Sequence, residues 1–396
     1  MLKYLFSLLS GYILGSILPS YFLGKLLRGI DIRKLEERNA GTLNTYKVLG
    51  LTPAILTGLF DTTKGLLAAL ISSRIGVSYP WCFIASIGTI LGHIFPFYLR
   101  FKGGQGEATA IGIILYFSFK FLYFKENFWL AFLTLLIFTL SILYIVKRGR
   151  IIGIFILPAV TITLLTHATL YEAIFIALPS LHVFITSLKN RIKEGYSLKS
   201  STIEKIKWSR FIARPFAVIY IIIYFYTSKT FILYLSGAVA LSFLLFDIIR
   251  LSKRGINEVI MKSLRFALKE TEEKTFSSMT HFTVAAFLSF LFFAKEIACA
   301  SIIFPVFGDM FAKLLGLEYG RTKLFNKTLE GTIAYMAVSM TIGYIYSQII
   351  SFPYFVILIG SLAAAVSEVL PWELDDNLSG VLTSAIVMHF VCRIFC

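Results

Sequence analysis

About fourteen apolar runs, most of them close to the length that carries a helix through a bilayer, follow one another along the 396 residues. They fall near 5–27, 51–73, 80–99, 108–122, 128–146, 151–166 and 170–188, then near 213–227, 231–248, 279–294, 297–315, 331–350, 353–371 and 378–396. Hydrocarbon leaves no water for backbone N–H and C=O groups, so runs of this length imply helices, and the expected fold is an all-α polytopic membrane protein of about fourteen transmembrane helices. Several runs fall short of the ~20 residues a bilayer asks for, which leaves room for tilted or re-entrant segments. With 57% apolar and only 15% charged residues, the composition lies outside that of soluble domains.

The formal charge of +16 could suggest a nucleic-acid partner, but the cations sit in short loops between apolar runs and form no basic groove or tail. With the N-terminus outside, one set of alternate loops and their flanks holds about 29 of the Lys and Arg against about five in the other set, which marks the first set as cytoplasmic. A multi-pass protein of the cell membrane is expected, with membrane lipids as partners and no nucleic acid. The first run lacks a small-residue cleavage site and reads as a spanning helix in a chain that begins at Met1. Cys82, Cys299, Cys392 and Cys396 lie in apolar runs without CxxC pairing, so buried thiols are expected and neither zinc nor disulfides. The longest polar break, Lys189–Arg214, holds Lys189, Arg191, Lys193, Lys199, Lys205, Lys207 and Arg210. It divides the chain into an expected domain 1–196, a basic cytoplasmic linker 197–212 and a second domain 213–396. No repeat relates the halves.

Two glycine-bearing loops on the cytoplasmic side carry the chemistry of the first half. One reads Arg38-Asn39-Ala40-Gly41-Thr42-Leu43-Asn44-Thr45-Tyr46-Lys47. The other follows Gly92-His93-Ile94-Phe95-Pro96 and reads Phe101-Lys102-Gly103-Gly104-Gln105-Gly106-Glu107-Ala108-Thr109. Glycines at a helix mouth expose successive N–H groups that, with a nearby lysine, suit a phosphate. The alternatives are a tight interhelical turn for the glycines and a packed interfacial ring for His93.

These motifs, with Gly15-Ser16-Ile17, Asp61 to Gly65 and Gly92 to Pro96, resemble the membrane glycerol-3-phosphate acyltransferases that use acyl phosphate, over residues 1–196. The resemblance implies a seven-helix unit that moves the acyl group of acyl phosphate to the 1-hydroxyl of glycerol 3-phosphate. His93 would be catalytic, and Arg38, Asn39, Gly41, Asn44, Lys47, Lys102, Gly103, Gly104, Gly106 and Thr109 would hold the phosphates. The sequence departs from the family pattern in all three of its motifs. Glu36, Glu37 and Arg38 stand where Gly-Ser-Gly is expected, and Leu43 replaces Thr. Gln105 and Glu107 replace Lys and Val. The third motif is not recoverable in Ser187-Leu188-Lys189-Asn190-Arg191, with His182 too early. A carboxylate in the first loop would repel phosphate unless Arg38 or Lys47 neutralises it.

The second half gathers its carboxylates on the same side. Asp309, Lys313 and Gly316 share a helical face, Gly320-Arg321-Thr322-Lys323 makes a basic turn, Lys327-Thr328-Leu329-Glu330-Gly331 opens a helix, and Ser367-Glu368 precedes Asp375-Asp376-Asn377. Carboxylates, cations and helix starts at one depth suit a nucleoside triphosphate with Mg²⁺; the plainer alternative is an Asp–Lys pair with Thr328 and Asp375 as helix caps. With Phe246-Asp247-Ile248-Ile249-Arg250-Leu251 and Glu270 to Ser278, the series resembles the CTP-dependent lipid-alcohol kinases of the dolichol, phytol and fungal diacylglycerol type, over 213–396. The resemblance implies CTP as co-substrate, Mg²⁺ and a lipid alcohol. Asp309, Asp375 and Asp376 would be catalytic and, with Glu368, metal-binding. Arg250, Lys313, Arg321, Lys323, Lys327 and Glu330 would contact phosphate. A transporter would instead carry mid-bilayer charges and inverted repeats, which are not evident.

Overall fold

The computed structural model describes residues 1–125, 128–147, 149–195, 197–206, 208–264, 268–371 and 374–395. Lys207 and Cys396 lie outside them. The protein is an all-α polytopic integral membrane protein: among the described residues ten helices are long and apolar enough to cross a membrane, and four shorter apolar helices accompany them. It packs as two units, Met1–Phe132 with Arg150–Tyr196, and Leu133–Gly149 with Ser197–Cys396.

The first unit is built from α1 (Leu2–Ser16), α2 (Pro19–Arg28), α3 (Thr42–Leu49), α4 (Leu51–Arg74), α5 (Ile84–Ile94) and α6 (Glu107–Phe124), part of α7 (Phe128–Val146), then α8 (Gly149–His167) and α9 (Leu170–Lys193). The first apolar run is two helices, not one. Pro19 has no N–H to continue α1, so the chain is extended at Ile17 and restarts with Pro19 in the first turn of α2. The carbonyls freed at this break find donors inside the bundle: Lys64 Nζ donates to that of Gly15 at 3.1 Å and Tyr98 Oη to that of Ser16 at 2.7 Å.

Helices α1 and α5 meet backbone to backbone. A Cβ on Gly11 would stand 1.9 Å from the Ala85 carbonyl oxygen, and one on Gly92 2.1 Å from that of Tyr12. Lipid tails supply no hydrophobic drive between helices, so this close approach and its dispersion contacts hold the pair. Gly92→Leu is therefore expected to lower the stability of the first unit by about 1–3 kcal/mol through overpacking, read as an earlier thermal transition in detergent. An unchanged transition would contradict the packing.

The second unit takes in α7 from Leu133 onward, where Thr134 Oγ1 and Tyr354 Oη lie 2.9 Å apart and Arg321 Nη2 donates to the carbonyls of Tyr144 and Ile145 at 2.9 and 2.8 Å. Residues 197–212, expected to link the halves, fold into α10 (Ser200–Lys205) and α11 (Trp208–Ala213) within this unit, and the Lys199 N–H donates to Glu318 at 3.0 Å. Then come α12 (Val218–Tyr226), α13 (Lys229–Ser252), α14 (Arg254–Ser263), α15 (Ser278–Phe292) and α16 (Lys295–Tyr319). A two-stranded hairpin, β1 (Lys323–Leu324) with β2 (Lys327–Thr328), precedes α17 (Leu329–Ile350), α18 (Tyr354–Val369) and α19 (Asp376–Phe395). Cys82 and Cys299 are buried as expected, whereas Cys392 is half-exposed near the end of α19, where helix neighbours run out.

Candidate functional sites

In the first unit the two glycine loops are fastened to each other. Asp31 Oδ1 accepts from the Arg33 N–H and Nε, at 3.1 and 3.0 Å, and Arg33 Nη1 reaches the carbonyls of Leu99 and Lys102 at 3.3 and 2.5 Å. The Arg33 guanidinium holds the Asp31 carboxyl below its usual range. Asn39 Oδ1 accepts the Gly41 N–H at 3.0 Å, a side-chain turn that places Gly41 as the cap of α3. Asn44, expected on phosphate, is a staple instead: it is fully buried, its amide donates to the carbonyls of Ile32 and Asn39, and its oxygen accepts the Glu37 N–H. Both of its amide hydrogens are thus spent, and none is left to donate to a phosphate. Lys47 forms an ion pair with Glu37, which removes the repulsion that a loop carboxylate would bring but also engages this cation. Arg38 and Lys102 keep exposed side chains at the two loops.

The second loop folds back on α5. Gly103 and Gly104 donate their N–H groups to the carbonyls of Ile94 and His93, each at 3.0 Å, and Gly106 turns into α6 at a φ of 73° that favours glycine. His93 is buried beneath this loop, with Nδ1 2.8 Å from Lys64 Nζ and 3.4 Å from Asp61 Oδ1. Thr109 lies deeper, packed toward Gly65 of α4, and its buried hydroxyl has no partner among the described residues, so it does not line the loop. Helix α9 closes the other side. His182 Nε2 is 2.8 Å from the Gln105 carbonyl oxygen, and the amides of Gln105 and Asn190 pair reciprocally at 2.9 and 3.1 Å. His182 and Asn190 are eight residues apart and share a helical face, a spacing that could have shown that α9 contributes to the loop.

In the second unit several expected phosphate contacts are structural. Arg250 is fully buried and spends its guanidinium on Asp247, Asn257 and the carbonyls of Glu272 and Thr275, at 2.7–3.1 Å. It fastens the 270–278 loop with these bonds, and Nη2 also lies 2.9 Å from Asp247. Glu330 accepts the N–H groups of Arg321 and Thr322 at 3.0 and 3.2 Å and so shapes the turn, while Arg321 is committed to the end of α7. Lys323 is exposed on the hairpin.

The carboxylates are matched to cations. Asp309 pairs with Arg214, and Lys327 Nζ bridges Glu368 and Asp376 at 2.6 and 2.7 Å. Burial works against the Lys327 charge, but the two carboxylates outweigh it and hold its pKa above the ordinary value. Asp375 accepts from the N–H and amide of Asn377 at 3.0 and 2.8 Å and from Ser278 Oγ at 3.1 Å, the arrangement of a helix-start residue. Among the described residues no three His, Cys, Asp or Glu converge as a metal set. The carboxylates expected on Mg²⁺ that pair with cations here are Asp309, Glu368 and Asp376. A cavity of about 600 Å³ is lined by Asp309, Lys313, Lys323, Lys327, Thr328 and Glu368. A second of about 80 Å³, with Arg214, Lys269, Asp375 and Asp376 in its wall, shares Asp309 and Lys313 with the first.

Residues 5–194 match the family model described as glycerol-3-phosphate acyltransferase. Similar curated proteins include glycerol-3-phosphate acyltransferase 1 of Deinococcus radiodurans, 39% identical over 110 residues covering 28% of this chain and 55% of the relative. That of Streptococcus thermophilus is 38% identical over 135 residues, 33% of this chain and 63% of the relative. That of Shouchella clausii is 43% identical over 110 residues, 27% and 54%. The chain thus spans between half and two thirds of the length of these relatives. A crystal structure of an integral membrane glycerol 3-phosphate acyltransferase in its glycerol 3-phosphate form is 24% identical, with 51% of this chain and 97% of that one covered and a TM-score of 0.39. The family match ends before Ser197, where the second unit takes up the chain.

Proposed function

We propose that the first unit, which holds most of the residues 5–194 that match the glycerol-3-phosphate acyltransferase family model, transfers an acyl group from acyl phosphate to glycerol 3-phosphate in phospholipid synthesis. The 1-hydroxyl oxygen bonds to the acyl carbon, the bond from that carbon to the phosphate oxygen breaks, and lysophosphatidate and phosphate leave with the hydroxyl proton. The observation that carries this reading is the joining of the two loop regions: Arg33 bonds to the Leu99 and Lys102 carbonyls, and Gly104 packs against the Ala40 carbonyl just before α3. Two of the departures in sequence have partners: Lys47 neutralises Glu37, and Gln105 is held by Asn190. The charge asymmetry puts these loops on the cytoplasmic side of the cell membrane.

Purified protein in lipid vesicles, given acyl phosphate and labelled glycerol 3-phosphate, should yield labelled lysophosphatidate; no product would remove the assignment. Lys102→Ala should raise the KM for glycerol 3-phosphate about tenfold or more, because a charge-assisted bond contributes about 1.5–3 kcal/mol. An unchanged KM would take Lys102 out of the site.

A second reading concerns the second unit alone, as a CTP-dependent lipid-alcohol kinase. Its support is the convergence of Asp309, Lys313, Lys327 and Glu368 on one cavity. Lys327 would have to leave Glu368 and Asp376 before those carboxylates could hold Mg²⁺. Label passing from γ-labelled CTP to diacylglycerol or polyprenol, and lost in Asp309→Asn, would support it; no transfer would remove it.

A further inference from the structure

Lys64 is fully buried in the first unit, and its surroundings decide where the proton of His93 lies. An ammonium has three hydrogens and no lone pair. Three close acceptors surround Nζ: Asp61 Oδ1 at 2.8 Å, His93 Nδ1 at 2.8 Å and the Gly15 carbonyl oxygen at 3.1 Å. A neutral amine would leave the buried Asp61 carboxylate to the His93 ring, 3.4 Å away, in place of an ammonium at 2.8 Å. A donating ammonium requires a lone pair on Nδ1, so the ring proton belongs on Nε2. Nε2 lies where the two glycine loops meet. A Cβ on Gly104 would fall 2.2 Å from it and 3.0 Å from the Ala40 carbonyl oxygen.

We propose that Lys64, held by Asp61 and the broken end of α1, is a positioning residue that locks His93 as the Nε2–H tautomer. His93 thereby offers a neutral hydrogen-bond donor to a phosphate oxygen between the loops and does not take the proton of the attacking hydroxyl. This rests on the first unit acting on phosphorylated substrates. It gives His93 the role of an anion ligand, and it makes the helix break at Pro19 part of the site, because the freed Gly15 carbonyl is one of the groups that orient the ammonium.

The test uses full-length protein in lipid nanodiscs with ¹⁵N-labelled histidine, the His93 signals being assigned by their loss in His93→Gln. Wild type should show protonated Nε2 and unprotonated Nδ1, and glycerol 3-phosphate should shift the Nε2 signal. Asp61→Asn combined with Lys64→Met removes both charges together and should let the proton move to Nδ1. In acyl transfer, His93→Gln keeps a donor without a base and should stay within about tenfold of wild type, while His93→Ala should lose about 100-fold. Protonated Nδ1 in wild type, an unchanged tautomer in the double variant, no shift with glycerol 3-phosphate, or equal loss in the Gln and Ala variants would each overturn the proposal. A wild type without acyl transfer defeats the acyltransferase reading, and the tautomer and ligand-shift measurements still decide the role of Lys64.

Discussion

Gly103→Ala should reduce lysophosphatidate formation by at least about 100-fold while leaving the helical content intact. Its Cβ would stand 2.1 Å from the His93 carbonyl oxygen and 2.6 Å from Pro96 Cδ, both rigid parts of the chain. The loop would have to lift away, breaking the hydrogen bonds from Gly103 and Gly104 to the end of α5. A displacement of about 1 Å at a group that positions substrate costs on the order of 100-fold in rate. Labelled glycerol 3-phosphate in vesicles gives the measurement, and activity within about threefold of wild type would show that the 102–106 loop does not form the site. The requirement here is close approach, in contrast to Gly106, where it is the left-handed turn into α6.

Arg250→Met should destabilise the second unit by about 3–5 kcal/mol, because it leaves the Asp247 carboxylate fully buried without its partner. Asp247 also accepts the Ser277 N–H and the Thr280 hydroxyl, each at 2.6 Å, so the orphaned charge would sit where the 270–278 loop meets α15, and the loop would lose the bonds from Arg250 to the Glu272 and Thr275 carbonyls. Thermal unfolding in detergent reads the loss, and adding Asp247→Asn to the variant should recover part of it by removing the orphaned charge. A variant as stable as wild type that fails only in binding a phosphorylated ligand would return Arg250 to the role its sequence position suggested.

Arg250 also shows why some of the site could not be read in one dimension. A buried arginine and a phosphate-binding arginine look alike in sequence; what separates them is whether side-chain and backbone acceptors of the folded chain already engage the guanidinium. Asn44, Glu330 and Arg321 were read as ligands for the same reason, and each turned out to hold the backbone of a turn or helix end. The reverse error befell His182, set aside because it falls too early for a linear motif, although helix geometry carries it and Asn190 to the same loop. Arg33 drew no notice because its partners, the carbonyls of Leu99 and Lys102, are backbone groups more than sixty positions away. The neutralisation of Glu37 by Lys47 was foreseeable, since charge repulsion demanded a nearby cation.

What the sequence by itself determined is the solvent, the helical class and the positions of the polar loops between the spans, because lipid forbids unpaired backbone and so ties long apolar runs to helices. The tertiary structure alone decided that α7 is shared between the two units, that the first span breaks at Pro19, and which polar groups remain open to a ligand. Those outcomes depend on hydrogen bonds and ion pairs between residues distant in the chain, and a side chain's partners, which set whether it binds or braces, exist only once the helices have packed.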